Sequence, residues 1–263
     1  MLFATAGDGA RLAYEVLGDG PPLLLVAGQA SDRHVWDRVR DDFAAHHRVI
    51  VFDHRGTGAS DKPAAPPYST RGFAADAIAV LDAAGAARAH VYGISMGGRI
   101  GQWLAIEHAA RLGALVLGCT TPGNAHGVRR PREVDPALAS GEPARMVPYL
   151  VSPAWQAAHP ELLADLEAAA RDRPVPPHAR RLHYQASEAH DAWDRLPEIA
   201  APTLVIHGID DQVNVAANAS LLVGRIPGAE LYLISGGRHA YFLEYRRVAS
   251  DVVLGFLALH PID

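Results

Sequence analysis

The residues able to do chemistry in this chain fall at three points far apart in sequence. The first is Gly93-Ile-Ser95-Met-Gly97, which follows the apolar pair Val91-Tyr92 and leads into a helix-compatible run from Arg99 to about His108. A serine between two glycines at a strand-to-helix turn has its hydroxyl lifted above the sheet edge, where larger neighbours would block the turn. The helix that follows aims free N–H groups and the positive end of its dipole at any negative charge formed there. A serine hydroxyl is a weak nucleophile until a base accepts its proton, and the base needs an acid to orient it. The chain has 14 histidines, so context must choose the base. His239, in Gly236-Gly237-Arg238-His239-Ala240, follows the last apolar strand on a loop of the kind that carries function. The acid is sought in Leu204-Val-Ile-His207-Gly208-Ile-Asp210-Asp211, at another strand end. Adjacent carboxylates point in different directions, so at most one faces the histidine; the Gly-x-x-Asp spacing favours Asp211, with Asp210 the alternative.

Buried strands have to hold these residues. Arg11–Gly18 alternates apolar and polar residues, as a half-exposed strand near a sheet edge does. Leu23–Ala27, Val49–Phe52, Val91–Gly93, Ala114–Leu117, Leu204–Ile206 and Leu231–Ile234 are instead short continuous apolar runs. Such runs describe strands covered on both faces, hence an α/β fold with a parallel sheet wrapped by helices. In Gly72–Gly85 the residues Phe73, Ala77, Val80, Leu81 and Ala84 recur at helical spacing, and Gly85 is placed to end the helix. Asp53-His-Arg-Gly-Thr-Gly-Ala-Ser60 is too glycine-rich to continue its strand and reads as a loop at the strand's carboxyl end. The strand–helix alternation breaks over residues 120–200, which are punctuated by prolines and contain one clear amphipathic helix, Glu161–Arg171. This stretch is expected to form a helical cap inserted into a core made of residues 1–119 and 201–263.

The 263 residues fit one large domain with such an insertion. A net charge of −5 gives no support for a nucleic-acid partner. The single cysteine, Cys119, sits in an apolar run and reads as a reduced core thiol. No signal peptide is visible, and the apolar run Leu23–Ala27 is far shorter than the ~20 residues of a membrane span. A cytoplasmic enzyme with no membrane partner is the expectation.

Four features in order, namely Asp-His-Arg-Gly-x-Gly-x-Ser, the serine turn, His-Gly-x-x-Asp and Gly-Gly-x-His, make the chain resemble the α/β-hydrolase family over nearly its full length. The order Ser95, Asp211, His239 is the family's own. The resemblance implies a mostly parallel eight-stranded sheet, of which the apolar runs show six or seven strands. It also implies an oxyanion hole built from the backbone N–H groups of Met96 and Gln29. Where the family carries a His-Gly pair, this chain has Ala27-Gly28, a departure from the pattern. Gly101-Gln-Trp-Leu-Ala105, Ser152-Pro-Ala-Trp155, His159-Pro-Glu-Leu162 and Ala201-Pro-Thr-Leu-Val205 are more narrowly similar to 3-oxoadipate enol-lactone hydrolases.

The activity implied is serine-dependent cleavage of a small carboxylic ester or lactone, with no cofactor and no metal. Carbon–carbon bond hydrolysis, cofactor-free haloperoxidase or perhydrolase chemistry, and a slow-turnover small-molecule receptor are the alternatives on the same fold. Tyr241 and Phe242, beside His239, together with Trp155, are candidates to line an acyl pocket. Arg129, with Arg130 and Arg132, is a candidate to bind a substrate carboxylate, set against a solvated surface cluster. His183 and His190 are seven residues apart near Glu188, but no third ligand is evident and no metal site is expected there.

Overall fold

A computed structural model describes residues 1–65 and 68–262. Its sheet has eight strands: β1 (Leu2–Thr5), β2 (Arg11–Leu17), β3 (Pro22–Val26), β4 (Arg48–Phe52), β5 (Ala89–Ile94), β6 (Leu112–Gly118), β7 (Thr203–Gly208) and β8 (Glu230–Ile234). They lie in the order β1-β2-β4-β3-β5-β6-β7-β8. The pairs β1–β2 and β2–β4 are antiparallel, and every other pair is parallel. The helices are α1 (Arg40–Ala44), α2 (Thr70–Ala83), α3 (Met96–Glu107), α4 (Val134–Ser140), α5 (Pro143–Leu150), α6 (Pro153–Ala158), α7 (Glu161–Asp172), α8 (Pro177–Glu188), α9 (Ala217–Arg225), α10 (Tyr241–Glu244) and α11 (Arg246–Ala258).

The continuous apolar runs are explained by cover on both faces. All six residues of β5 and of β7 are buried. Successive side chains of a strand point to opposite faces. Accordingly Leu24, Val26, Ile50 and Phe52 join one apolar cluster, with Phe73, Val80 and Leu81 of α2. Their neighbours Leu23, Leu25, Val49 and Val51 join the other, with Trp36, Phe43 of α1 and Val253 of α11. Each fully buried side chain of this size contributes roughly 1.5–3 kcal/mol, so the central strands are the rigid part from which loops are hung. In α2 the Ser69 hydroxyl caps the first turn by accepting from the Gly72 N–H, and Gly85, at φ +65°, ends the helix.

Two strands differ from expectation. The short β1 forms the first edge of the sheet, and its four residues gave no usable apolar run. At the other edge, β8 is not enclosed on both faces: Leu231, Tyr232 and Leu233 are 39%, 37% and 41% exposed. A terminal strand has a neighbour on one side only, so an apolar run can mark an edge as well as a centre.

Among the described residues, only helical elements separate β6 from β7: α4 to α8, then a 3-10 turn at Trp193–Glu198. They form the cap over the carboxyl ends of the strands. The cap is fastened to the core beside the β8 loop, where the Ala240 N–H donates to the Leu150 carbonyl at 2.8 Å and the Ser152 N–H donates to Glu244 at 2.9 Å. The loops that follow β3, β5, β7 and β8 lie at the carboxyl edge of a parallel sheet, where open α/β sheets bind ligands.

Candidate active site

Ser95 occupies the turn between β5 and α3 with φ 54° and ψ −118°. Left-handed backbone at a residue with a side chain costs of order 1–3 kcal/mol and persists only where the surroundings enforce it. Here they do. A Cβ at Gly93 would collide with the Gly97 carbonyl, and one at Gly97 would collide with the Val26 carbonyl. The Ser95 N–H donates to the Gly118 carbonyl at 2.9 Å, while its own carbonyl accepts from the Thr120 hydroxyl at 2.7 Å. The side chain is thus held partly exposed at the head of α3.

Asp211 and His239 are brought into contact. The His239 Nδ1–H donates to Asp211 Oδ2 at 2.8 Å, which leaves Nε2 as the basic nitrogen. The other carboxylate oxygen accepts from the backbone N–H groups of Val213 and Asn214 at 2.8 and 3.0 Å. His207, at the end of β7, adds its Nε2 at 3.2 Å from Oδ2, while also donating to the Asn214 carbonyl at 2.6 Å. Burial alone would push this carboxyl up; the His239 charge and hydrogen bonds from both histidines outweigh it and hold Asp211 down at about 2. Asp210 is exposed and faces solvent. Ser95 stands two strands away, at the end of β5, and makes no hydrogen bond to His239 among the described residues.

The loop after β3 closes the other side of the serine. A Cβ at Gly28 would sit 3.4 Å from the Ser95 Cβ, so this loop runs beside the Ser95 side chain. The His54 Nε2–H clamps this loop by donating to the Ala27 carbonyl at 3.0 Å. The Gln29 N–H follows, and Met96 N–H is the first of α3, where no helical acceptor exists. Both donors adjoin Ser95.

The remaining candidates are not gathered at the serine. Tyr241 is fully buried, and its hydroxyl is paired with that of Tyr92 at 2.9 Å. Phe242 packs on Trp36 with ring centroids 5.6 Å apart. Both, expected as candidates to line an acyl pocket, are buried in the apolar cluster on the α11 side of the sheet. Trp155, on α6, stacks on His159 at 4.0 Å and leans on the same apolar cluster. Arg129 is exposed, whereas Arg130 is committed to Asp135 and Glu188 at 2.6 and 2.7 Å. His183 and His190 each engage both ring nitrogens in hydrogen bonds. Among the described residues no group of three His, Cys, Asp or Glu is placed to hold a metal, and no helix is long and apolar enough to cross a membrane.

Arg99, one turn into α3, belongs to none of the sequence motifs. It is buried, with Nη1 donating to the Ser187 carbonyl and hydroxyl at 2.5 and 2.7 Å. Among the described residues no carboxylate pairs with it, and burial pushes its guanidinium down to about 10. Its position four residues after Ser95 was the available signal, since i and i+4 share a helix face.

Architecture and site together define the class, a hydrolase built on an eight-stranded α/β core with a helical cap. The chain belongs to the family of the alpha/beta hydrolase fold, which it matches over residues 21–245. It is similar to RutD of Azorhizobium caulinodans, named as a proposed carbamate hydrolase, at 35% identity over 97% of this chain and 98% of that protein. Among solved structures it resembles Est816, described as an N-acyl homoserine lactone degrading enzyme, at 32% identity and TM-score 0.83, covering 97% of this chain and 100% of that one. It also resembles the enol-lactonase from Burkholderia xenovorans LB400, at 25% identity and TM-score 0.84, covering 98% and 100% of the two chains.

Proposed function

We propose that this chain is a serine hydrolase that cleaves a small carboxylic ester or lactone through an acyl-enzyme on Ser95. The observation that carries this reading is the Asp211–His239 hydrogen bond of 2.8 Å on loops that open beside a strained serine turn. Ser95 Oγ attacks the carbonyl carbon while its proton passes to His239 Nε2, and Asp211 stabilises the imidazolium that forms. The N–H groups of Gln29 and Met96 receive the oxyanion, each such donor being worth about 10²–10³ in rate. Collapse breaks the carbon–oxygen bond, and the leaving alkoxide takes the proton back from His239. Water, deprotonated by the same Nε2, then attacks the acyl-enzyme and releases the carboxylic acid and Ser95. With a lactone both products are one molecule, a hydroxy acid. The names of Est816 and the enol-lactonase support trying lactones early.

The test is release of p-nitrophenol from acetyl through octanoyl esters, followed by simple lactones, with wild type compared with Ser95→Ala. If Ser95, His239 and Asp211 act as a unit, Ser95→Ala lowers kcat by about 10⁶-fold. Turnover by Ser95→Ala within tenfold of wild type overturns the reading.

A further inference from the structure

We infer that His183, carried on the cap helix α8, is a positioning residue of the oxyanion hole, and the inference rests on the serine-hydrolase reading above. The loop after β3 has alanine where the family pattern has histidine, and Ala30 in that loop adopts φ 53°. Left-handed backbone is unfavourable for a residue with a Cβ, so contacts from outside the loop are needed to hold it. The Ala30 N–H donates to His183 Nδ1 at 3.2 Å. The opposite nitrogen, Nε2–H, donates to the Arg55 carbonyl at 2.8 Å. Because a carbonyl can only accept, this second bond fixes the tautomer and leaves Nδ1 as the lone pair that the Ala30 N–H requires.

The consequence for the hole follows from peptide planarity. The His54 bond fixes the plane of the peptide joining Ala27 to Gly28 through its carbonyl. The His183 bond fixes the plane joining Gln29 to Ala30 through its N–H. One peptide lies between the two clamped planes, that joining Gly28 to Gln29, and it carries the N–H assigned to the oxyanion. Two neutral histidines, one from the core and one from the cap, therefore aim a single donor.

The site is built to receive the second ring. His183 is fully buried, flanked by Phe73 at 5.0 Å and Tyr68 at 5.6 Å. Gly56, at φ +89°, keeps the room clear, since a Cβ there would come within 3.1 Å of Nε2. Burial pushes the imidazole down to about 3, which keeps Nδ1 free to accept at neutral pH. The cap also grips the far side of the loop, where Arg173 meets Asp32 at 2.8 Å. The hole is complete only with the cap seated.

The experiment compares His183→Leu, His183→Asn and His183→Gln with wild type and Ser95→Ala. It measures kcat and KM for p-nitrophenyl acetate and inhibition by an alkyl trifluoromethyl ketone, whose serine adduct places an oxyanion in the hole. Far-ultraviolet circular dichroism and melting temperature establish that each variant is folded. His183→Leu is expected to lower kcat about 10–100-fold, a fraction of one donor's worth, with KM within threefold and ketone affinity weakened by a similar factor. His183→Gln, whose amide can accept from Ala30 and donate to Arg55, is expected to recover most of both. Should the leucine variant not fold, the shorter asparagine decides by the same criterion. A folded leucine or asparagine variant with kcat within threefold of wild type, or with reduced kcat and unchanged ketone affinity, overturns the inference. Wild-type turnover that does not need Ser95 instead overturns the serine-hydrolase reading, so the two failures are distinct.

Discussion

Asp211 accepts three hydrogen bonds on two buried oxygens and has His207 Nε2 3.2 Å away, whereas Asp210 next to it is exposed. This difference makes a sharp prediction at the scale of one residue. Asp211→Asn keeps the shape but turns an NH₂ toward His239 Nδ1, which must then accept; the ring proton moves to Nε2, so the base is lost in the wrong tautomer and its counter-charge is lost with it. We expect kcat for p-nitrophenyl esters to fall by about 10⁴-fold, the size of effect known for a triad carboxylate made neutral. Asp210→Asn should leave kcat unchanged; parallel kinetics of the two variants check this, and equal losses would contradict the assignment. The local motifs around Ser95, Asp211 and His239 were legible because each chemistry there depends on residues a few positions apart. The surroundings of Tyr241 are not legible for the complementary reason, since its hydroxyl is held by Tyr92, 149 residues earlier.

At the scale of elements, periodicity was enough wherever one element's burial decides its sequence. The buried central strands, α2 and α7 all follow from apolar spacing. How the cap meets the core did not, because those contacts join residues such as Ala30 and His183, 153 positions apart, and carry no local pattern. Arg99 is another such contact. Its guanidinium reaches from α3 to the carbonyl of Ser187 in the last turn of α8 and weakly to Asn214 at 3.3 Å. A cation there also complements the negative end of the α8 dipole. Arg99→Met removes these donors, each bond contributing about 1.5–3 kcal/mol for a charged partner, but also relieves a buried charge whose desolvation costs several kcal/mol. The two nearly cancel globally, so melting temperature should change by only a few degrees. Locally they do not cancel, because only α8 loses its tether. Hydrogen exchange followed by mass spectrometry should show residues 177–188 exchanging about tenfold faster or more, with the strands unchanged; unaltered protection of α8 would refute the tether.

Across the whole molecule the same use of neutral histidines sets how stability responds to acid. Burial pushes His54 and His90 down to about 4 and His183 to about 3, and His190 is pushed well below the ordinary imidazole range. Geometry agrees at two of them: His90 Nδ1 accepts the Ala114 N–H at 3.0 Å and His183 Nδ1 accepts that of Ala30, so protonation would set N–H against N–H. Between the depressed folded values and about 6.5, the unfolded chain binds more protons than the folded one, and stability must fall as pH falls. Each such histidine contributes about 1.4 kcal/mol per pH unit across that window. Against a typical total of about 5–15 kcal/mol, several such histidines together lower stability in acid before the carboxylates matter. Asp211, lowered to about 2 from 3.8, acts only later, as pH drops below about 4. We therefore expect the melting temperature to be level above about pH 7, then to fall steeply from pH 6 to pH 4, and His183→Gln to reduce that slope. Calorimetry across this range is the check. A melting temperature constant down to pH 4 would mean that these rings are already charged in the fold, which the bonds at His90 and His183 forbid.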